Sequence, residues 1–493
     1  MRKGIVACSV LRMFLRYSLF LCVSFAALAA PPAQMRVGTF NASLNRTAAG
    51  LLFADLSAPG SAGSGVAQAK RIAEIIQRNA PDVLLVNEFD YDTQTDGQGR
   101  TVVGLFHDNF LAVSQNGQPA LSFPYRFTAP SNTGVHSGLD FDNSANAGNP
   151  SGITTTPGTD PYGNDCYGFG WFPGQYGMVV YSKFPIMTSS VRTFRNFLWK
   201  SMPGPLLPDD PATLQPKDWY STAELNVFRL SSKSHWDLPL DMGGGHVMHF
   251  LVDHPTPPVF DSTEDRNGKR NHDEIRFWAD YVDPARATYH RDDAGVAGGL
   301  PANARFVIAG DHNADPVRGD SVAGAALQFT THPLINNSVV PSAAAYSNNT
   351  TNTADFTPTD LRVDYVLPSK SGFAILNSAV YWPLAPHPQA SLVTNANASD
   401  HKMVWLDVQP LPVLAEAVKN LNATLSGGNI VITFTAAAGY AYTLQETGNV
   451  AAGGWMPVPG AVVTVGPDYA ASVSVPVTVP GRRFFRIEVR FAP

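Results

Sequence analysis

The sequence predicts a layered α/β domain followed by a small all-β domain, on three observations. Short apolar runs rich in Val, Ile and Leu recur before residue 409, and several of them end at Gly, Asn or Asp. Stretches with apolar residues at helical spacing lie between some of them. After Gln409-Pro410-Leu411-Pro412 the helical pattern stops, and short strand-like runs follow at regular spacing. A length of 493 residues favours two domains, and 44% hydrophobic against 15% charged residues allows a large packed core and excludes global disorder.

Residues 1–29 read as a secretory leader. Arg2, Lys3, Arg12 and Arg16 form a basic front, residues 17–28 are an apolar run, and Ala27-Leu28-Ala29 offers small residues for cleavage. The run is too short to span a bilayer, so export is expected rather than stable membrane insertion. Met13 could also begin a complete leader. Cleavage removes four basic residues and no acidic one, which takes the formal net charge from −6 to −10. No block of Lys and Arg offsets this, so the chain lacks the electrostatic footprint for gripping long nucleic acid. Of the cysteines only Cys166 stays, and it cannot form an internal disulfide.

Residues 35–40 predict a strand that ends at Asn41, in GTFNASLNR; an amide there can meet a metal's water shell or a phosphate, or cap a turn. Val66, Ala69, Ile72, Ala73 and Ile76 predict a helix over 66–79, closed by Pro81. Residues 82–86 form the next strand and run into Asn87-Glu88, a carboxylate that needs a cation or an open rim. Residues 90–174 are loop-rich. Asp140, Asp142, Ser144 and Asn146 resemble a calcium loop, but Ala145 stands where Gly belongs and no distal Glu follows, so a plain loop is expected. GFGWFPGQYG, residues 168–177, could wall a pocket, and residues 178–181 form a strand. A strand over 246–252 leads to Asp253-His254-Pro255. Asn271, with Glu274 three residues on, predicts the N-cap of a helix over 271–282 whose apolar face is Ile275, Trp278, Ala279 and Val282.

The richest stretch is RFVIAGDHNADP, residues 305–316. An apolar strand breaks at Gly310 and delivers Asp311 and Asn313 at its carboxyl end, where layered α/β folds gather catalytic groups. Asp311 can act as a base or orient a water, and the Asn313 amide can donate to an anionic oxygen; a simple turn would use the same residues. Asp364 lies inside a strand over 363–367, an awkward place for an unpaired charge. Asp400-His401 precedes a last strand over 403–408. Separate turns could explain each polar residue, but one active site explains them all.

At these residues the chain resembles the endonuclease/exonuclease/phosphatase superfamily, the fold of DNase I, over about residues 35–408. The resemblance implies a four-layer α/β sandwich: two mixed β-sheets face to face, flanked by helices. It implies that Asn41, Glu88 and Asp400 lie in the metal region. MVVYSKFPI, residues 178–186, matches the family's central strand and turn. His254 would contact the phosphate, Asp311 would orient or deprotonate the attacking water with Asn313 beside it, and Asp364 would hold His401. His312 departs from the apolar or aromatic residue usual there, and Tyr176, Arg126 and Lys233 are candidates for further phosphate contacts.

The expected organisation is a leader over 1–29, a catalytic domain over 33–408, a linker over 409–418 and a small β-sandwich accessory domain over 419–493. The expected activity is hydrolysis of a phosphomono- or phosphodiester with Mg²⁺, or with Mn²⁺ or Ca²⁺, by a secreted, monomeric enzyme. Nucleic acid stays open as a substrate, and so does a catalytically inactive, surface-binding protein with the same fold. In the accessory domain, Tyr440, Tyr442 and Trp455 are expected to be core rather than a binding face.

Overall fold

The computed structural model describes residues 8–11, 19–22, 32–243, 246–346, 348–356, 358–411, 418–436, 440–448, 454–466, 469–477 and 483–491. Strands are numbered along the chain. β1 (Cys8–Leu11) and β2 (Leu19–Cys22) fall in the expected leader and pair antiparallel.

The first domain contains β3 (Met35–Leu44), β4 (Val83–Phe89), β5 (Tyr125–Phe127), β6 (Met178–Ser182), β7 (Arg192–Thr193) and β8 (Trp236–Asp241). It continues with β9 (Val247–Val252), β10 (Phe306–Asp311), β11 (Asp364–Pro368), β12 (Phe373–Val380) and β13 (Val404–Pro410). They form a six-stranded sheet, β12-β13-β3-β4-β6-β5, and a five-stranded sheet, β11-β10-β9-β8-β7. Both are mixed: β3 runs parallel to β4 and β9 parallel to β10, and their other pairings are antiparallel.

The period-two alternation of a strand divides the core. Val307 and Ala309 of β10 join Val37, Val86 and Leu406 of the other sheet, while Phe306 and Ile308 join Ile275 and Trp278 of a helix outside. Helix, sheet, sheet and helix thus stack in four layers. The Ser64–Asn79 helix buries the predicted stripe Val66, Ala69, Ile72, Ala73 and Ile76, and ends at Ala80 in the left-handed region before Pro81.

The second long helix corrects the prediction. It spans Arg266–Tyr281 with Asp265 as N-cap, so Asn271 lies inside it. Asn271 is buried and donates Nδ2 to Thr256 O and His312 O, 2.8 Å each, while Glu274 accepts the N–H groups of Ser232 and Thr256 at 2.6 Å. Both residues serve tertiary contacts, and the polar first turn gives no apolar period to mark the true start.

The last domain contains β14 (Val418–Ser426), β15 (Asn429–Ala436), β16 (Tyr440–Thr447), β17 (Met456–Pro457), β18 (Thr464–Val465), β19 (Ala470–Pro476) and β20 (Phe484–Phe491). One sheet runs β14-β15-β19-β18 and the other β1-β2-β20-β16-β17, with Ile432, Phe434, Leu444, Val473, Phe485 and Ile487 buried in one core. The Tyr442 ring lies 5.0 Å from that of Phe434, and the Arg486 guanidinium 4.7 Å over Trp455.

Candidate active site

Strand register assembles the site. The parallel pairing of β3 and β4 sets Asn41 beside Asn87, and β4 continues to Glu88. Parallel pairing of β9 and β10 sets Val252 beside Ala309, which carries Asp253-His254 toward Gly310-Asp311. Antiparallel pairing of β10 and β11 places Asp311 directly opposite Asp364. Antiparallel β13 enters beside β3 just after Asp400-His401. Gly310 is required here, because a Cβ on it would stand 2.4 Å from Asp253 O.

Asp311 is the hub. Its Oδ2 accepts Asn41 Nδ2 at 3.0 Å and faces His254 Nε2 at 3.4 Å and His401 Nε2 at 3.5 Å. Its Oδ1 accepts the Asn313 N–H at 2.9 Å, and its own N–H donates to Asn87 Oδ1 at 3.2 Å. Asn41 Nδ2 also donates to Glu88 Oε1 at 3.0 Å, so one amide ties two carboxylates together. Beyond His401, Nδ1 meets Asp364 Oδ2 at 2.8 Å, and that oxygen accepts Thr353 Oγ1 at 2.7 Å.

These contacts fix charge. Burial alone would raise the Asp311 carboxyl, but His401, His254 and Asn41 together hold it well below the usual carboxylate range. Burial alone would lower His401, yet Asp364 and Asp311 lift it to about 10, which favours the imidazolium form between the two carboxyl groups, while burial raises Asp364 to about 6. His254 is pushed down by burial and then by nearby Lys233; its Nδ1 is buried with no hydrogen-bond partner among the described residues.

Asn41, Glu88, His254, Asp311, Asp364 and His401 thus form one connected group. Asn313 joins through its backbone, while its amide donates to Pro255 O at 3.1 Å. Asp400 stands at the edge, 3.4 Å from the hydroxyls of Ser43 and Ser399, and Ser399 donates to Asn41 O at 2.8 Å. His312 points into the core, with Phe329 and Tyr365 around its ring and Nδ1 3.4 Å from Asp253 Oδ1. Arg126 lies elsewhere, donating to Phe123 O and standing 2.7 Å from His107 Nδ1.

Asp140 and Asp142 are joined by Asp165, their oxygens within 4.8 Å of one another, a grouping that sequence spacing did not reveal. Asp140 accepts the N–H groups of Ser144 and Ala145, and Asp165 those of Phe141 and Thr154, as in a self-bonded loop.

Sequence reasoning did not single out Asn87, Ser43, Ser399 or Thr353 as supports. Asn87 carried a usable signal, as a second polar residue at the end of an apolar strand. Backbone conformation gives another: Ser43, Glu88, Tyr176 and Asn313 hold φ between 47° and 56°, where non-glycine residues are uncommon and strain collects at functional sites.

Glu88 and His254 also line a cavity of about 580 Å³. Lys233 and Tyr176 share its lining with Tyr220 and Phe228. Gly168 lets the aromatic-glycine run pass close by, since a Cβ on it would lie 1.8 Å from Ser232 O.

Residues 38–401 match the Endonuclease/Exonuclease/phosphatase family. The chain belongs to that family. No curated protein matches it. Among solved structures it is similar to an endonuclease/exonuclease/phosphatase from Beutenbergia cavernae DSM 12333, at 16% identity over 94% of this chain and 93% of that one, TM-score 0.43. A family protein from Bacteroides thetaiotaomicron is 11% identical over 77% of this chain and 98% of that one, TM-score 0.36. One from Leptotrichia buccalis C-1013-b is 12% identical over 76% and 99%, TM-score 0.38. Members of the endonuclease/exonuclease/phosphatase family hydrolyse phosphoesters, and this one carries acidic groups that could hold a metal. Among the described residues, no helix is long and apolar enough to cross a membrane.

Proposed function

We propose that the protein is a secreted, divalent-metal-dependent phosphoesterase that cleaves phosphomono- or phosphodiester bonds by in-line attack of water. The observation that carries this reading is the line Asp364–His401–Asp311, which holds an ionised carboxylate and an imidazolium side by side. Asp311 takes the proton of the attacking water as its oxygen bonds to phosphorus. The bond to the leaving oxygen breaks, and that oxygen departs as the alcohol after gaining a proton. The His401 imidazolium, kept charged and oriented by Asp364, stabilises the negative charge that builds on the phosphoryl oxygens. His254 offers its Nε2–H from the cavity side.

The donor set fits a hard divalent cation. Glu88, Asn41 and Asp400 supply oxygen ligands, and among the described residues the Asp400 carboxylate has only long hydroxyl contacts at 3.4 Å. These residues would hold Mg²⁺, or Mn²⁺ or Ca²⁺, and such an ion when bound neutralises charge on the phosphoryl group. The acidic mature chain favours a small ester over long duplex DNA.

Hydrolysis of para-nitrophenyl phosphate, bis-para-nitrophenyl phosphate, inositol phosphates and plasmid DNA, with and without EDTA, tests the proposal. EDTA-sensitive turnover of a small ester is expected, while preferential plasmid cleavage would make the protein a nuclease. No metal-dependent hydrolysis of any of them would leave the inactive, surface-binding reading. Sequencing the amino terminus of the exported protein should find it near Ala30.

A further inference from the structure

Lys233 is only 6% exposed, yet its ammonium has no carboxylate within ion-pair distance among the described residues. Its one described hydrogen-bond partner is Pro255 O at 3.5 Å, the edge of reach. A buried, unpaired cation is costly, so such a group usually meets a counter-charge. The other basic side chains of the cavity are already engaged. Arg266 pairs with Glu264, and Arg270 donates to the carbonyls of Leu230, Tyr167 and Arg229. Burial pushes the Lys233 ammonium down, while Glu274, Glu88 and Asp311 pull it up.

The backbone around Lys233 is built to hold it. Its carbonyl accepts the Asn132 N–H at 2.9 Å, and Ser232 donates its N–H to Glu274 and its hydroxyl to His254 O at 3.2 Å. Lys233 and His254 therefore share one support. The Phe228 ring, also on the cavity lining, packs at a tilt against Phe141 and Tyr220, at centroid distances of 4.7 and 4.5 Å. Phe260, also on the cavity lining, is 87% exposed, a large apolar side chain left uncovered by the described residues. A volume of about 580 Å³ suits a small molecule, not a duplex.

Resting on the phosphoesterase reading, we propose that this cavity is the leaving-group pocket: it takes a compact phosphoester whose alcohol portion bears a flat ring, with Lys233 binding an anionic oxygen of that ester. The ring lies against the aromatic wall and under Phe260, and the phosphoryl group reaches Asp311 and His401 past His254.

Benzyl phosphate and methyl phosphate have leaving alcohols of similar acidity and differ in the ring. The expected kcat/KM is higher for benzyl phosphate. Lys233→Met should raise KM for both about 10- to 100-fold, the worth of a charge-assisted hydrogen bond. Its thermal midpoint without ligand should not fall, because the substitution removes a buried charge and keeps the volume. Phe260→Ala should lower the benzyl-to-methyl ratio about 3- to 10-fold. An unchanged KM in Lys233→Met, or a ratio indifferent to Phe260→Ala, overturns the proposal. If the parent hydrolyses neither ester with metal present, the phosphoesterase reading fails, and binding then decides the pocket alone. Benzyl phosphate should still raise the parent's thermal midpoint and not that of Lys233→Met; no shift in the parent overturns the pocket as well.

Discussion

Asp311 is fully buried and still ionised because each of its neighbours is a donor, and that sets what single substitutions should do. Asp311→Asn keeps the shape but cannot take a proton from water, so turnover should fall about 10²- to 10⁴-fold with little change in the metal concentration needed. Glu88→Gln should instead shift the metal dependence, with activity returning in part at high Mg²⁺. Titrating both variants with Mg²⁺ checks the two roles, and superimposable curves would refute them. His401 is a different case. It bridges the buried carboxyl groups of Asp311 and Asp364, so His401→Ala strips both of their cation, and Asp364, already raised to about 6 by burial, rises further. That variant should lose about 3–5 kcal/mol of stability at neutral pH as well as activity, read by urea unfolding.

At the scale of elements, the Arg266–Tyr281 helix does more than cover a sheet. Glu274 accepts two backbone N–H groups, those of Ser232 and Thr256, and so ties the segments carrying Lys233 and His254 to one helix. Glu274→Ala would orphan both buried donors at about 1–3 kcal/mol each. Stability should drop by roughly 2–6 kcal/mol on that account, and KM should rise because the cavity wall loosens. A stable variant with unchanged KM would show that the helix only packs. Strand pairing supplies the rest of the geometry. A one-residue slip between β10 and β11 would break the opposition of Asp311 and Asp364 and turn their side chains to other faces.

For the whole molecule, the two domains have separate cores, and the catalytic group lies entirely before β14. Leu411 is still anchored, its N–H donating to Gly372 O at 2.9 Å and its carbonyl accepting Arg305 at 2.8 Å. A chain ending after Leu411 should unfold cooperatively and keep its turnover on a soluble ester, as calorimetry and assay would show. Acid should weaken the first domain through His290, which burial lowers to about 4 although the carbonyls of Phe277 and Ala287 face its ring. Unfolded histidine titrates near ~6.5, so the unfolded chain binds the extra proton first. The contribution is therefore present above about 6.5 and is lost as pH falls toward 4. His290→Phe should flatten unfolding stability across that window.

The sequence by itself located the strands in or beside which Asn41, Glu88, His254, Asp311, Asp364 and His401 lie, because a polar residue in or next to an apolar run is a local pattern of period and punctuation; β3 and β4 run on past their expected ends to Leu44 and Phe89. It also determined the amphipathic Ser64–Asn79 helix and the change to an all-β domain, for the same reason. Only the tertiary structure decided what those residues touch. Asn271 and Glu274 read as a helix start, since their spacing imitates a cap, yet both are buried and bond to distant backbone. Lys233 was one of three candidates for a phosphate contact, but nothing local marked it as a cation without a carboxylate partner among the described residues, because that is defined by what is absent within a few ångströms. That absence depends on where Arg266, Arg270 and the carboxylates come to rest, and pairing across hundreds of residues sets it, not sequence neighbourhood.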